Sequence, residues 1–159
     1  MGTGLIRKKS KMPATPFVRY FRSCTLLAIN LLYLMLWGFA GISKVLEGVP
    51  PWFRDKFQPT LLGKVPGVTI AFWWLTAVEL AAFGLAAAAL LRADFRESRP
   101  PWLLGGMLAW SLVGFLHLGF GLTLTADFNG SFQQFMYAAA TWIAMGFLLR
   151  NSPEGRAHP

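Results

Sequence analysis

Four long apolar stretches dominate this chain of 159 residues, at 24–42, 68–91, 101–123 and 131–149, and together they contain one glutamate and one histidine. About 20 mainly apolar residues in an α-helix cross the roughly 30 Å hydrocarbon core of a bilayer. Each stretch therefore predicts a membrane-spanning helix. The predicted fold is an all-α membrane protein, a bundle of four transmembrane helices.

Lysine and arginine flank these stretches unevenly. Six lie in residues 1–22, four between the first and second stretches, three between the second and third, none between the third and fourth, and two after the fourth. Because cytoplasmic segments carry more basic residues, this distribution places both termini in the cytoplasm. We expect a basic cytoplasmic head at 1–22, a membrane domain at 23–149 and a cytoplasmic tail at 150–159, in a multi-pass protein of a bacterial inner membrane.

The net charge of +8 also raises the question of nucleic-acid binding. A nucleic-acid site needs basic residues gathered on one face, often among stacking aromatics, whereas these basic residues flank the apolar stretches. The lipid bilayer is therefore the predicted partner of the chain, and nucleic acid is not.

Ionisable residues inside membrane spans are rare and often mark functional sites, so Glu79 and His117 are the first candidates for ligand binding or proton relay. Lys44, at the outer end of the first span, is the third. Structural roles stay open for all three. Glu79 could bond Lys44 to lock the helices, His117 could bond a backbone carbonyl, and Lys44 could extend to the lipid headgroups.

The loop after the first span mixes aromatic and charged residues. This composition is typical of a short helix lying on the outer membrane surface, although an irregular solvated loop fits equally well. Trp52, Phe53 and Phe57 are the aromatic residues of this segment, and they are the predicted partner surface.

Several chemistries lack the residues they require. The single cysteine, Cys24, cannot form an internal disulfide. A zinc site needs about four Cys, His or acidic ligands, and haem held by two histidines needs a second membrane histidine, whereas His158 is in the tail. We assign no metal ligand and no catalytic residue, which leaves at most an accessory role in an oxidoreductase.

Three features in order carry a family resemblance. The first span ends Gly38-Phe39-Ala40-Gly41-Ile42-Ser43-Lys44, the second contains Glu79 before a Gly- and Leu-rich stretch, and the third contains His117. This order resembles the DoxX-like family of small four-helix membrane proteins over about residues 22–149. The last span ends Ala-Met-Gly-Phe-Leu-Leu and lacks the Gly-rich, Ser-Leu-Asp-like ending of many members.

The resemblance implies a role in redox processes at the membrane, with Lys44, Glu79 and His117 as the positions that matter. The leading hypothesis is an accessory subunit of a membrane redox complex, in which an outward-facing polar pocket binds a quinone-like or other small molecule and passes protons. The first alternative is an assembly or chaperone factor that holds a membrane or periplasmic partner protein. The second is a small proton-coupled transporter.

Overall fold

The computed structural model describes residues 16–96 and 99–151, and all regular secondary structure in these ranges is helical. The prediction of an all-α chain is confirmed for this part of the sequence. Residues 1–15 of the predicted head and 152–159 of the tail lie outside the described residues. The helices are α1 (Pro16–Glu47), α2 (Pro51–Phe57), α3 (Leu61–Lys64), α4 (Val68–Arg92), α5 (Trp102–Leu124) and α6 (Phe128–Asn151).

Three of these helices, α1, α4 and α5, are long and apolar enough to cross a membrane. Helix α6 occupies the position of the fourth predicted span and has 24 residues, but it does not meet the same standard of apolarity. Its first turns contain Asn129, Gln133 and Gln134, which lower its mean hydropathy.

Particular residues explain where α4 and α5 begin. Gly67 precedes α4 with φ of 101°, a conformation that glycine adopts without steric cost. At the start of α5, the Asp94 carboxylate accepts hydrogen bonds from Leu103 N at 2.8 Å and Leu104 N at 3.2 Å. These two N–H groups have no partner within the helix, so the buried carboxylate completes the helix start.

The four long helices contribute to one apolar core. Helix α1 packs against α4, α4 against α5, and α5 against α6. Three buried alanines lie on one face of α4, and they let the neighbouring helix backbones approach closely. The buried members of the core are Leu26, Tyr33, Trp37, Ala82, Ala86, Ala89, Leu104, Met107, Leu108, Phe115 and Leu148.

Buried polar side chains join helices that lie far apart in the sequence. Trp37 Nε1 donates to Ser111 Oγ at 2.8 Å, which ties α1 to α5, and the Tyr33 and Thr141 hydroxyls lie 2.6 Å apart between α1 and α6. Asn30 is fully buried, and with its amide suitably oriented it donates to Ala86 O and accepts from Leu90 N. Because such groups have no water to bond in a membrane, these pairs fix how the helices pack.

Large apolar side chains cover the outside of the long helices. On a soluble monomer a surface this apolar would mark an interaction site, whereas lipid chains cover it in a membrane protein. Among the most exposed are Leu32, Met35, Phe39, Leu116, Phe120, Trp142 and Ile143.

Candidate functional site

Lys44 and Glu79 form an ion pair between α1 and α4. The Lys44 ammonium lies 2.7 Å from each carboxylate oxygen of Glu79 and 3.4 Å from Ala40 O. The Glu79 side chain is only 1% exposed, whereas 24% of the Lys44 side chain remains accessible. The lysine therefore lies between the carboxylate and the surroundings.

A glycine explains why α1 comes near enough to α4 for this pair to form. Gly41 lies one turn before Lys44, and a Cβ atom there would come within 2.8 Å of Leu80 Cδ2 and 3.4 Å of Leu80 N. Leu80 follows Glu79 in the chain, so the two backbones approach closely just where the carboxylate must be reached. The Gly-x-x-Lys ending of the first span thus has a structural consequence: it brings the ammonium to the carboxylate.

A cavity of about 680 Å³ lies beside this pair, at the end of the long helices that carries α2 and α3. Its walls come from the end of α1, the first turns of α4 and the last turns of α5, and its roof comes from α2 and α3. Six aromatic side chains line it: Trp52, Phe53, Phe57, Phe72, Trp74 and Phe120. The polar lining consists of Ser43, Lys44, Glu47, Lys56 and His117.

Both ring nitrogens of His117 have partners. Trp74 Nε1 on α4 donates to His117 Nε2 at 3.3 Å, and His117 Nδ1 lies 2.8 Å from Val113 O one turn earlier in α5. Because Nε2 accepts, the proton of the neutral ring lies on Nδ1, which donates to the carbonyl. The backbone bond is the one foreseen for a structural histidine, and the bond to Trp74 adds a link between α4 and α5.

The aromatic residues of α2 differ from their predicted arrangement. A short helix does form at 51–57, but Phe53 and Phe57 are buried against Val68 and Phe72 of α4. The Phe53 ring centroid lies 5.0 Å from that of Phe72 in an edge-to-face contact. Burial inside the chain removes both phenylalanines from the predicted partner surface. Trp52, with 63% exposure, is the member of that set that remains accessible.

A second ion pair holds the roof of the cavity. Lys56 Nζ on α2 lies 2.9 Å from Asp127 Oδ2 in the turn between α5 and α6. The other oxygen of Asp127 accepts from Gly130 N at 3.0 Å in the first turn of α6. The Lys56 ammonium and this backbone bond hold the pKa of the Asp127 carboxyl below its usual range. The roof is thus tied both to α4 and to the α5–α6 turn.

The structure therefore brings five of the six predicted site residues to one cavity. Lys44 and His117 lie on its walls, and Trp52, Phe53 and Phe57 lie in its roof, whereas Glu79 is behind Lys44 and outside the lining. No hydrogen bond joins Glu79 to His117 within residues 16–96 and 99–151, so a direct proton transfer between them has no support. In these same residues, no three His, Cys, Asp or Glu side chains form a metal-binding group.

Sequence reasoning missed Trp74 and the Lys56–Asp127 pair. Trp74 is one of two adjacent tryptophans within an apolar span, where aromatic side chains are ordinary, and nothing in the sequence marks it as a partner of His117. Lys56 on α2 and Asp127 in the α5–α6 turn are 71 residues apart, so their pairing depends on how the helix ends meet.

No protein-family model, curated protein or solved structure matches this chain. The resemblance to DoxX-like proteins therefore depends on the residues quoted from the sequence. An aromatic chamber with an ammonium group in its wall can hold a flat or elongated apolar molecule that carries a hydrogen-bond acceptor.

Proposed function

We propose that this chain is a DoxX-like protein of the bacterial inner membrane, a four-helix transmembrane bundle with both termini in the cytoplasm. Its role is that of an accessory subunit of a membrane redox system, and it binds a quinone-like or other small amphipathic molecule in the cavity under α2 and α3. The observation that carries this proposal is the cavity itself. Its volume of about 680 Å³ is within the range of roughly 300–1,000 Å³ usual for small-molecule sites.

The side chains of the cavity fit a quinone-like molecule. The six aromatic residues can cover the faces of a flat ring, and Lys44 can donate to a carbonyl oxygen in exchange for its long 3.4 Å hydrogen bond to Ala40 O. Glu79 holds the ammonium at the wall and balances its charge, so a neutral ligand with an acceptor group fits the pair without adding a third charge. A quinone, when bound, supplies the ability to accept electrons and protons.

The ligand can be tested by filling the cavity. Ala71 lines the cavity, and Ala81 on the same helix is exposed on the outer surface, so Ala71→Phe and Ala81→Phe add the same group inside and outside. We would extract both variants and the unaltered protein in mild detergent and record by native mass spectrometry the molecules that leave the membrane with them. We expect a small molecule bound to the unaltered protein and to Ala81→Phe, and at least a tenfold loss in Ala71→Phe.

Other results would favour the alternatives. A small molecule that stays bound in Ala71→Phe lies elsewhere and would contradict the proposal. A stoichiometric protein partner without a small molecule would favour the assembly factor, and Trp52 would become the first residue to substitute because it is the exposed aromatic of the roof.

A further inference from the structure

Three apolar side chains that α4 and α5 contribute to the cavity lining are also more than half exposed on the outer surface of the protein, as is Trp52 in the roof. Ile70 and Trp74 of α4 are 60% and 57% exposed, and Phe120 of α5 is 54% exposed. A side chain that both lines a cavity and faces outward lies where the cavity meets the surface. The gap between α4 and α5 is therefore one mouth of the cavity. The adjoining surface is apolar, with Leu116 71% exposed, so lipid chains cover it in a membrane.

The contacts that hold the roof in place are more extensive than those that close the gap between α4 and α5. Phe53 and Phe57 are buried against α4, and Lys56 is bonded to Asp127 in the α5–α6 turn. Trp52 is the exposed aromatic of the roof. Leaving by the roof would require the separation of a packed aromatic cluster and an ion pair.

Two hydrogen bonds join α4 and α5. Trp110 Nε1 donates to Val78 O at 3.0 Å, away from the cavity lining, and the bond at the gap itself runs from Trp74 Nε1 to His117 Nε2, 3.3 Å long. It belongs to two side chains that also line the cavity. Since the Trp74 ring is more than half exposed, it can turn toward the lipid once this bond is broken. The hydrogen bond from His117 Nδ1 to Val113 O, one turn earlier in α5, keeps the imidazole in place.

We propose that the ligand is a membrane-dissolved amphiphile that enters from the lipid phase between α4 and α5, and that the Trp74–His117 hydrogen bond closes this route. This inference depends on the proposed function, because it needs a ligand in the cavity. It adds the source of the ligand, the path and a gating residue, Trp74. A molecule carried in lipid needs no opening of the α2–α3 roof.

The path can be tested by crosslinking first the α4–α5 gap and then the roof. In a Cys24→Ser background, the pair Trp74→Cys/His117→Cys spans the gap and the pair Lys56→Cys/Asp127→Cys spans the roof. Each pair would be joined with the same short bis-maleimide in lipid nanodiscs. The probe is decylubiquinone, and its uptake would be followed by quenching of tryptophan fluorescence, each crosslinked pair being compared with its own uncrosslinked form.

We expect the crosslink across α4 and α5 to slow uptake at least about tenfold, and the crosslink across the roof to leave the rate unchanged, since only the first closes the path. Slower uptake with the roof crosslink, or unchanged uptake with the α4–α5 crosslink, would overturn the lipid route. If the folded, uncrosslinked pairs and the unaltered protein all fail to bind the probe, the proposed function fails, and the route fails with it.

A single substitution tests the role of the Trp74–His117 hydrogen bond without crosslinking. Trp74→Phe keeps an aromatic ring in the wall but removes the indole N–H, so uptake should become about fivefold faster, as expected for the loss of one hydrogen bond. The control is Trp73→Phe on the neighbouring position of α4, which does not line the cavity. Equal rates in the two variants would show that the Trp74–His117 bond does not gate uptake.

Discussion

At the residue scale, the two side chains of the Lys44–Glu79 ion pair differ in how deeply they are buried. Glu79 is almost completely enclosed, whereas Lys44 keeps a quarter of its side-chain surface accessible. A lysine whose partner is removed can extend toward the headgroups, but a buried carboxylate cannot reach water. The two single substitutions should therefore have unequal effects.

We expect Lys44→Met to lower the free energy of unfolding by about 3 kcal/mol, since it leaves a buried carboxylate without its partner. Glu79→Gln should cost about 1 kcal/mol, because the freed ammonium can extend to water and a neutral amide is less costly to bury than an unpaired carboxylate. Unfolding by SDS in mixed micelles, followed by circular dichroism, would measure both.

The double variant Lys44→Met/Glu79→Gln is the control for this pair. It removes both charges, so it should recover more than half of the stability that Lys44→Met loses. Strictly additive effects of the two single substitutions would contradict a direct energetic coupling between the side chains.

Residue types could be predicted more easily than their contacts. The rarity of charge in apolar sequence was enough to select Glu79 and His117, whereas Lys44 was selected from its position at the end of the first span and from the family resemblance. Whether Glu79 meets Lys44 depends on the rotation of α1 against α4, which follows from the close approach at Gly41 and Leu80. The close approach depends on the surfaces of both α1 and α4. How these two helices are oriented relative to each other cannot be read from one sequence.

At the scale of elements, the interface between α1 and α5 depends on one glycine. A Cβ atom at Gly114 would come within 2.9 Å of Trp37 Cη2 and 3.3 Å of Trp37 Cζ2. Trp37 is buried and its indole N–H is bonded to Ser111, so the rigid ring has no free space to move into. This glycine lies one turn before His117, and its interface therefore also supports the cavity wall.

We expect Gly114→Ala to destabilise the protein by about 1–3 kcal/mol, because the added methyl group overpacks the core and displaces Trp37 from Ser111. Gly106→Ala in the same helix is the matched control, since a Cβ atom there meets no atom within 4 Å. The control should be neutral or slightly stabilising, as alanine favours a helix over glycine. Equal unfolding midpoints for the two variants would show that the Trp37 ring adapts without cost.

The helices themselves were predicted well where the hydropathy pattern and the hydrogen-bonding pattern coincide. The second span was predicted at 68–91 and α4 ends at Arg92. Helix α1 runs from Pro16 to Glu47, well beyond the apolar stretch 24–42, because backbone hydrogen bonding continues through the more polar residues on either side. Hydropathy thus locates the membrane part of a helix but not its ends.

At the scale of the whole molecule, the cavity results from the meeting of three helix ends and a short roof. Of its polar members, Lys44 and His117 were predicted from the sequence, but Ser43, Glu47 and Lys56 were not, and neither was the burial of Phe53 and Phe57. Aromatic residues in a loop look the same in sequence whether they face lipid, water or a neighbouring helix. Here Phe72 of α4 provides the surface that buries them, and so two residues of the predicted partner surface line the cavity.

The topology of the helices decides which compartment the roof of the cavity faces. Basic residues favour a cytoplasmic position for both termini, with α2, α3 and the α5–α6 turn on the outer side. Three exposed positions report on this arrangement in a Cys24→Ser background: Asp55→Cys on α2, Arg96→Cys after α4 and Arg150→Cys near the end of α6.

In spheroplasts of a bacterial host, a membrane-impermeant maleimide should label Asp55→Cys alone, and all three should react after permeabilisation. Labelling of Arg150→Cys together with Asp55→Cys would mean that α6 does not cross the bilayer, and labelling of Arg96→Cys without Asp55→Cys would reverse the orientation and place the roof in the cytoplasm.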